Sequence, residues 1–298
     1  MKVVVSGGTG FIGSALTKAL VSKGYQVVIL TRNPSKSQGK GSSISYAAWS
    51  DINEAVSGSL GVINLAGESI AGRRWTEELK KKIITSRVES TSAIVKAINA
   101  TPAELRPKVF VSASAVGYYG DSGDTILTED SPAGSDFLAD VCRLWESHAH
   151  AAPKDVRVVT PRIGVVLHPD GGALEKMILP FKLGIGGPLG TGNQYFPWIH
   201  LDDMVNIFVE SIENDHISGA VNASAPHSVT MSQFASALGK VLSRPTLFKV
   251  PGFALSLALG ESAVVVTASQ RMVPVKLESL GFGWKFRNVE DALRDLLR

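Results

Sequence analysis

Thirteen residues, Met1 to Gly13 (MKVVVSGGTGFIG), constrain the fold more than any other stretch of the chain. Val3, Val4 and Val5 form a β-branched run suited to a buried strand. Glycines follow at 7, 8, 10 and 13, and from Phe11 the residues Phe11, Ile12, Ala15, Leu16, Ala19 and Leu20 recur at helical spacing. A strand therefore runs through a glycine turn into a helix whose first turn holds Gly13. Each glycine has a physical task in that context: a tight turn, close approach of backbone to a pyrophosphate, and close packing of helix on strand, with phosphate held at the helix N-terminus. The alternative is a glycine-rich turn that binds nothing.

Composition narrows the class. A chain of 298 residues can bury a large core in one or two domains. Its net charge of +3 comes without any block of five or six like charges, which argues against nucleic acid and anionic membrane as partners. Lys80, Lys81 and Lys82 read as a solvated helix face. The single cysteine, Cys142, excludes an intrachain disulfide and a multi-cysteine metal site, so no metal site is expected and a reducing compartment is favoured. Ala254 to Leu259 is apolar but too short to span a bilayer. With two residues before its first strand, the chain leaves no room for a signal or transit peptide. The reading is a cytoplasmic protein, or one of an organelle matrix or stroma after removal of a transit peptide.

Strand patterns at 25–30, 44–49, 61–65, 108–112 and 156–160 alternate with helical ones at 51–56, 74–100 (as one helix or two) and 136–151. Such alternation predicts an α/β fold, a doubly wound parallel sheet of Rossmann type over residues 1–167. Gln38 to Ser43 reads as a loop, and Trp145 as core. Residues 168–298 read as a smaller mixed α+β region on the substrate side, with sheet-completing elements near 198–224. There the glycine-rich Gly171–Gly192 and the aromatic run from Gln194 suit a pocket wall better than a regular layer. His200 is either an acid/base group or structural, and Asp202 is expected to cap a helix over 203–212. Gly219–Ala223 reads as a strand, with helices over Met231–Leu242 and Phe253–Leu259.

Candidate site residues sit where such a sheet places ligands. Roughly 20 positions beyond the glycines, where an acid would suit a free ribose 2′-hydroxyl, the chain has Arg32. A guanidinium there pairs with a 2′-phosphate, which favours NADP over NAD, with Thr31 and Lys36 assisting; otherwise Arg32 is a surface arginine at a strand end. Asn64-Leu65-Ala66-Gly67 closes a strand with small residues that let a cofactor approach backbone. Arg87 is either a phosphate contact or an ion-paired arginine at the edge of the core. In Ser112–Gly120, the Ser114 hydroxyl can hydrogen-bond a substrate carbonyl or carbinol, and Tyr118 or Tyr119 can donate a proton.

Taken together, SGGTGFIG (Ser6–Gly13), NLAG (Asn64–Gly67), SASAVGYYG (Ser112–Gly120) and WIHLDDM (Trp198–Met204) resemble the extended short-chain dehydrogenase/reductase family, the group of sugar-nucleotide epimerases and dehydratases. RRW (Arg73–Trp75), GYYGD, FLADVCRLWE (Phe137–Glu146), PRIGVVL, DGGAL and GGPLG narrow the resemblance to an atypical subgroup labelled epimerase family proteins, across essentially the whole chain. The resemblance implies a small C-terminal domain from about Phe248. It also implies NADP(H) as cofactor, held by Gly7, Thr9, Gly10, Phe11, Ile12, Gly13, Thr31, Arg32, Leu65, Ala66, Gly67, Arg87 and Arg162.

The departures from the family bear on chemistry. Its reductases act through a tyrosine and a lysine four residues apart, the lysine lowering the phenol's pKa. With Glu146 aligned to the glutamate that follows that lysine, this chain has Leu138 and Cys142 instead, and no tyrosine in it is followed four residues later by lysine. The arginine-x-x-asparagine pattern of sugar-nucleotide enzymes becomes Arg162-Ile163-Gly164-Val165. Two functions follow. One is an NADP-dependent oxidoreductase or epimerase on an unknown small carbonyl or sugar-like substrate, with Ser114 polarising it and Tyr118 or Tyr119 as acid; a phenol without a lysine neighbour keeps a pKa near about 10 and suits donation better than abstraction. The other is a non-catalytic NADP-binding regulatory or partner-binding module, a reading that fits the cell-division labels some relatives carry. A homodimer and a protein partner both remain open. If Arg32 reads the 2′-phosphate, Arg32→Asp reverses the coenzyme preference toward NADH in a binding titration; an unchanged preference removes Arg32 from the site.

Overall fold

The structure is a computed structural model that describes residues 1–34 and 43–298. Lys36 and positions 38–42 of the expected loop lie outside the described residues. Seven strands form the main sheet: β1 (Lys2–Ser6), β2 (Gln26–Thr31), β3 (Ile44–Ala48), β4 (Gly61–Asn64), β5 (Val109–Ser112), β6 (Arg157–Ile163) and β7 (Gly219–Ala223). Their order is β7-β6-β5-β4-β1-β2-β3, and all neighbours are parallel. The two-residue segment Ser114–Ala115 adds to β6. Chain order runs outward from β1 on one side and from β4 on the other, so the crevice lies beyond the carboxyl ends of β1 and β4.

The valine run shows why this strand sits at the centre. Val3 and Val5 face α1 (Phe11–Ser22), packing with its Leu16 and Leu20. Val4 faces the opposite way, into a cluster with Val62, Phe110, Ile94 and Ile98. A strand buried on both faces needs this continuous apolar run. The second cluster also takes in α2 (Ile52–Val56) and α3 (Glu77–Ala100). α3 is a single helix: the Thr76 hydroxyl accepts from the Leu79 N–H, Glu77 and Glu78 occupy the positive first turn, and no proline or glycine interrupts it. Asp136 caps α4 (Phe137–Ala149) in the same way, through the Ala139 N–H.

Three expectations need correction. β6 does not stop at Thr160 but continues through Pro161 to Ile163; the extended backbone accommodates proline's fixed φ, at the cost of one N–H. Within the glycine-rich stretch, α5 (Gly172–Lys182) is a regular helix that packs Leu174 and Phe181 into a second core with Trp198 and Phe234. Asp202 does not cap α6 (Leu201–Glu213). The helix starts earlier than expected, so His200 is the cap, its Nδ1 accepting from the Asp202 N–H at 3.0 Å. Asp202 instead pairs with Lys285. His200 is structural: its ring lies on Phe286, its Nε2 stands 3.4 Å from an Asp295 oxygen, and burial lowers its pKa.

Beyond β7 come α7 (Met231–Leu242), α8 (Gly252–Leu259), α9 (Val264–Thr267), α10 (Val275–Ser279) and α11 (Val289–Leu297). A reciprocal Thr230–Gln233 capping box starts α7. The C-terminal part is tied back by Asp203, a buried carboxylate that accepts the N–H groups of Lys285 and Phe286 at 2.8 and 3.0 Å. Among the described residues, no helix is long and apolar enough to cross a membrane, and no cluster of three His, Cys, Asp or Glu could hold a metal.

Candidate cofactor cleft

At the end of β1 the backbone has no room for side chains. Gly7 has φ 71°, and a Cβ there would stand 2.8 Å from the Leu65 carbonyl carbon and oxygen; one on Gly13 would stand 2.1 Å from the Gly7 oxygen. The turn is thus pressed against both the end of β4 and the first turn of α1. Asn64 fixes the β4 side, its Oδ1 accepting from Ser6 Oγ (2.5 Å) and the Ala66 N–H (3.2 Å) while its Nδ2 donates to Thr91 Oγ1 (2.9 Å).

Two adjoining cavities open on this turn, both bordered by Gly7, Gly10, Leu65 and Gly67. One, of about 640 Å³, is further bordered by Thr9, Thr31, Arg32, Trp49, Ala66 and Glu89. The other, of about 530 Å³, is further bordered by Phe11, Ile12, Gly13, Arg87, Ser114, Leu138 and Cys142. The fold therefore gathers into one cleft every residue expected to hold the cofactor except Arg162, together with Ser114.

The two arginines of the cleft carry no carboxylate partner. Arg32 is exposed and makes no ion pair among the described residues. Arg87 donates from Nη1 to the carbonyls of Glu68 and Ile83, each at 3.0 Å, and its guanidinium lies 4.9 Å from the Trp145 ring centre. Of its two readings, the ion-paired one fails, because no carboxylate pairs with it among the described residues. Burial lowers its pKa, against the opposing influence of Cys142 and the Glu68 carboxylate. Backbone cradle and cations together fit a dinucleotide phosphate.

Arg162 is placed elsewhere. It is buried on β6, with Nε and Nη2 donating to the two carboxylate oxygens of Glu146 at 2.9 and 3.0 Å and Nη1 donating to Tyr119 Oη and the Glu129 carbonyl. This two-pronged pairing uses its fork, so it faces the core and does not border the cleft. The Tyr118 ring lies 3.4 Å from its guanidinium carbon. Tyr119 is buried, donates to Asn222 Oδ1 (2.6 Å), and has its pKa pushed up to about 12 by burial. Neither tyrosine borders the cleft, so the geometry does not bring them to Ser114 as acids. Ser114 Oγ donates to Glu146 Oε1 at 2.7 Å.

The positions taken by tyrosine and lysine in the family's reductases, Leu138 and Cys142, do face the cleft. The Cys142 thiol is pushed up to about 12 by burial and is no substitute base. The aromatic run from Gln194 does form part of the wall, through Gln194, Tyr195, Phe196 and Pro197, whereas Val265, Val266 and Gln270 gave no local signal in the sequence.

A family model described as "NAD dependent epimerase/dehydratase family" matches residues 3–223, the span of the main sheet and of the glycine turn. The chain belongs to that family. Residues 250–296 match a model described as a domain of unknown function, DUF1731. The chain is 47% identical over its full length to the chloroplastic homologue of epimerase family protein SDR39U1 from Arabidopsis thaliana, covering 87% of that protein. It is 39% identical to epimerase family protein YfhF of Bacillus subtilis, covering 100% of this chain and 98% of that one. The crystal structure of human SDR39U1 (isoform 2) with NADPH superimposes with a TM-score of 0.91 at 36% identity, covering 99% of both chains.

The buried pair yields a stability test. Glu146→Leu strands the Arg162 charge and should cost about 3–5 kcal/mol, read as a lowered urea midpoint. A midpoint equal to wild type would contradict the pairing.

Proposed function

We propose that the protein binds NADP(H) in this cleft and interconverts a small carbonyl compound and its alcohol. The observation that carries the reading is a pair of cations without an ion pair among the described residues, Arg32 and Arg87, on the same cleft as the Gly7–Gly13 cradle and Ser114. The NADPH named for the human relative supports the choice of cofactor. NADP(H), when bound, supplies the hydride chemistry. The N–H groups at the start of α1 hold the pyrophosphate, Arg32 with Thr31 binds the 2′-phosphate, and Arg87 neutralises charge deeper in the cleft.

Ser114 Oγ donates its hydrogen bond to Glu146, which Arg162 holds in place, so the serine oxygen presents lone pairs to a ligand and accepts from a carbinol hydroxyl. A donor to the carbonyl oxygen must come from elsewhere. Tyr195 is the phenol that borders the cavity, and its hydroxyl has no hydrogen-bond partner among the described residues. It takes the role expected of Tyr118 or Tyr119.

The second reading, an NADP-binding module without turnover, draws on Leu138 and Cys142 standing where the family's proton-transfer pair would be. Following NADPH absorbance across a panel of carbonyl compounds separates the two. With turnover, Tyr195→Phe should lower kcat at least ~100-fold, the scale of a lost general acid, Ser114→Ala should slow the reaction, and Tyr118→Phe should leave it unchanged. Tight NADPH binding with no turnover on any compound would overturn the enzymatic reading and favour the module.

A further inference from the structure

Resting on that cofactor reading, we infer that the second ligand of the cleft is an apolar carbonyl compound without phosphate, in contrast to the nucleotide sugars of the wider family. The 530 Å³ cavity has Val116, Leu138, Val141, Phe196, Val265 and Val266 in its wall. Among the described residues that border it, Arg87 is the one Arg, Lys or His, and there is no Asp or Glu. Arg87 belongs to the cofactor end: a Cβ on Gly67, beside the glycine turn, would stand 3.2 Å from its guanidinium carbon. A nucleotide sugar would bring a diphosphate into the remaining apolar half with no cation to meet it, and burying an unpaired anion is strongly unfavourable.

The neighbouring cations are already engaged. Arg73 pairs with Glu68, Arg74 donates to the Leu257 and Ala258 carbonyls, and Lys80 pairs with Glu261. Arg271 lies over the Tyr195 ring, 4.9 Å from its centre, and does not border the cavity.

The wall contributed by the C-terminal region is similarly closed to polar ligands. Gln194 Nε2 donates to the Val266 carbonyl at 3.2 Å, Ser269 Oγ accepts from the Tyr195 N–H at 3.0 Å, and Gln270 Nε2 donates to the Gly120 carbonyl at 3.0 Å. These bonds engage the two side-chain amide nitrogens and the Ser269 hydroxyl, and Val265 and Val266 stand beside them in the wall. Space acts in the same direction. The cavity is also bordered by the glycine turn and must hold the nicotinamide end of the cofactor, so less than its 530 Å³ is left for the second ligand. Tyr195, which borders the cavity, is the residue proposed above to donate to the carbonyl oxygen.

The test uses the full-length protein saturated with NADPH, whose binding is followed separately by nicotinamide fluorescence. Two probes are titrated by ligand-observed NMR: an aryl alkyl ketone, 4-phenyl-2-butanone, and UDP-glucose. The ketone should bind the NADPH complex and UDP-glucose should not. Val266→Asp should weaken ketone binding at least tenfold, and Val266→Thr, a nearly isosteric change that spares the fold, should weaken it to a smaller extent. Binding of UDP-glucose without the ketone overturns the inference, as does binding of neither probe to a protein that holds NADPH. If wild-type protein fails to bind NADPH, the cofactor reading falls and the inference with it, and the fluorescence distinguishes that failure from the other two.

Discussion

The rest of the structure depends on a contact made without side chains. The backbone of the β1 turn lies against the Leu65 carbonyl and against Gly13 in α1 so closely that a Cβ at Gly7 or Gly13 would collide with main-chain atoms. That approach sets the angle at which α1 leaves the sheet and directs its free N–H groups into the crevice where strand order reverses. It demands a neighbour that cannot shift, and Asn64 provides one by joining Ser6, Ala66 and Thr91 at the end of β4. Glycines and asparagine thus act as one device that holds the turn at the mouth of the cleft, beyond the carboxyl ends of two paired strands.

A second constraint lies one layer deeper. Glu146 and Arg162 form a buried, two-pronged ion pair that also takes the Ser114 hydroxyl, the Tyr119 phenol and, by stacking, the Tyr118 ring. Such a network stays favourable only while every member is satisfied. It therefore withdraws two tyrosines from the cleft and orients the one hydroxyl, Ser114, that remains at its edge. With leucine and cysteine in the places of tyrosine and lysine, the cleft keeps the cofactor half of the family's design and presents an apolar wall for the other half. On the proposed reading, proton transfer uses a group from the far wall, which Tyr195 borders.

What could be read from the sequence follows the range of the forces involved. β1, the glycine turn and α1 were legible because strand, turn and helix signals follow one another directly within the first twenty residues. The sheet and helices were legible from local periodicity, although a helix inside the glycine-rich stretch was hidden because its glycines cluster at the two ends. Arg32 could be singled out by its spacing from the glycines, whereas Arg87, near the middle of a long helix, left two readings open. Arg162 could not be placed, because its partner Glu146 is 16 residues away on a different element, and only packing shows that its guanidinium faces the core. The same holds for Tyr119, whose partner Asn222 is 103 residues distant. Val265 and Val266 carry no local signal at all; their role comes from the C-terminal region being folded back on the sheet.

The proposed site for a phosphorylated dinucleotide rests on the glycine turn and on Arg32 and Arg87. Calorimetric titration of the wild-type protein with NADPH tests it most directly, with Gly13→Ala measured alongside. One NADPH should bind per chain, more tightly than NADH, and the alanine at position 13, forced against the Gly7 carbonyl, should abolish or greatly weaken binding. Absence of binding to the wild type, or equal binding by the alanine variant, would contradict the account.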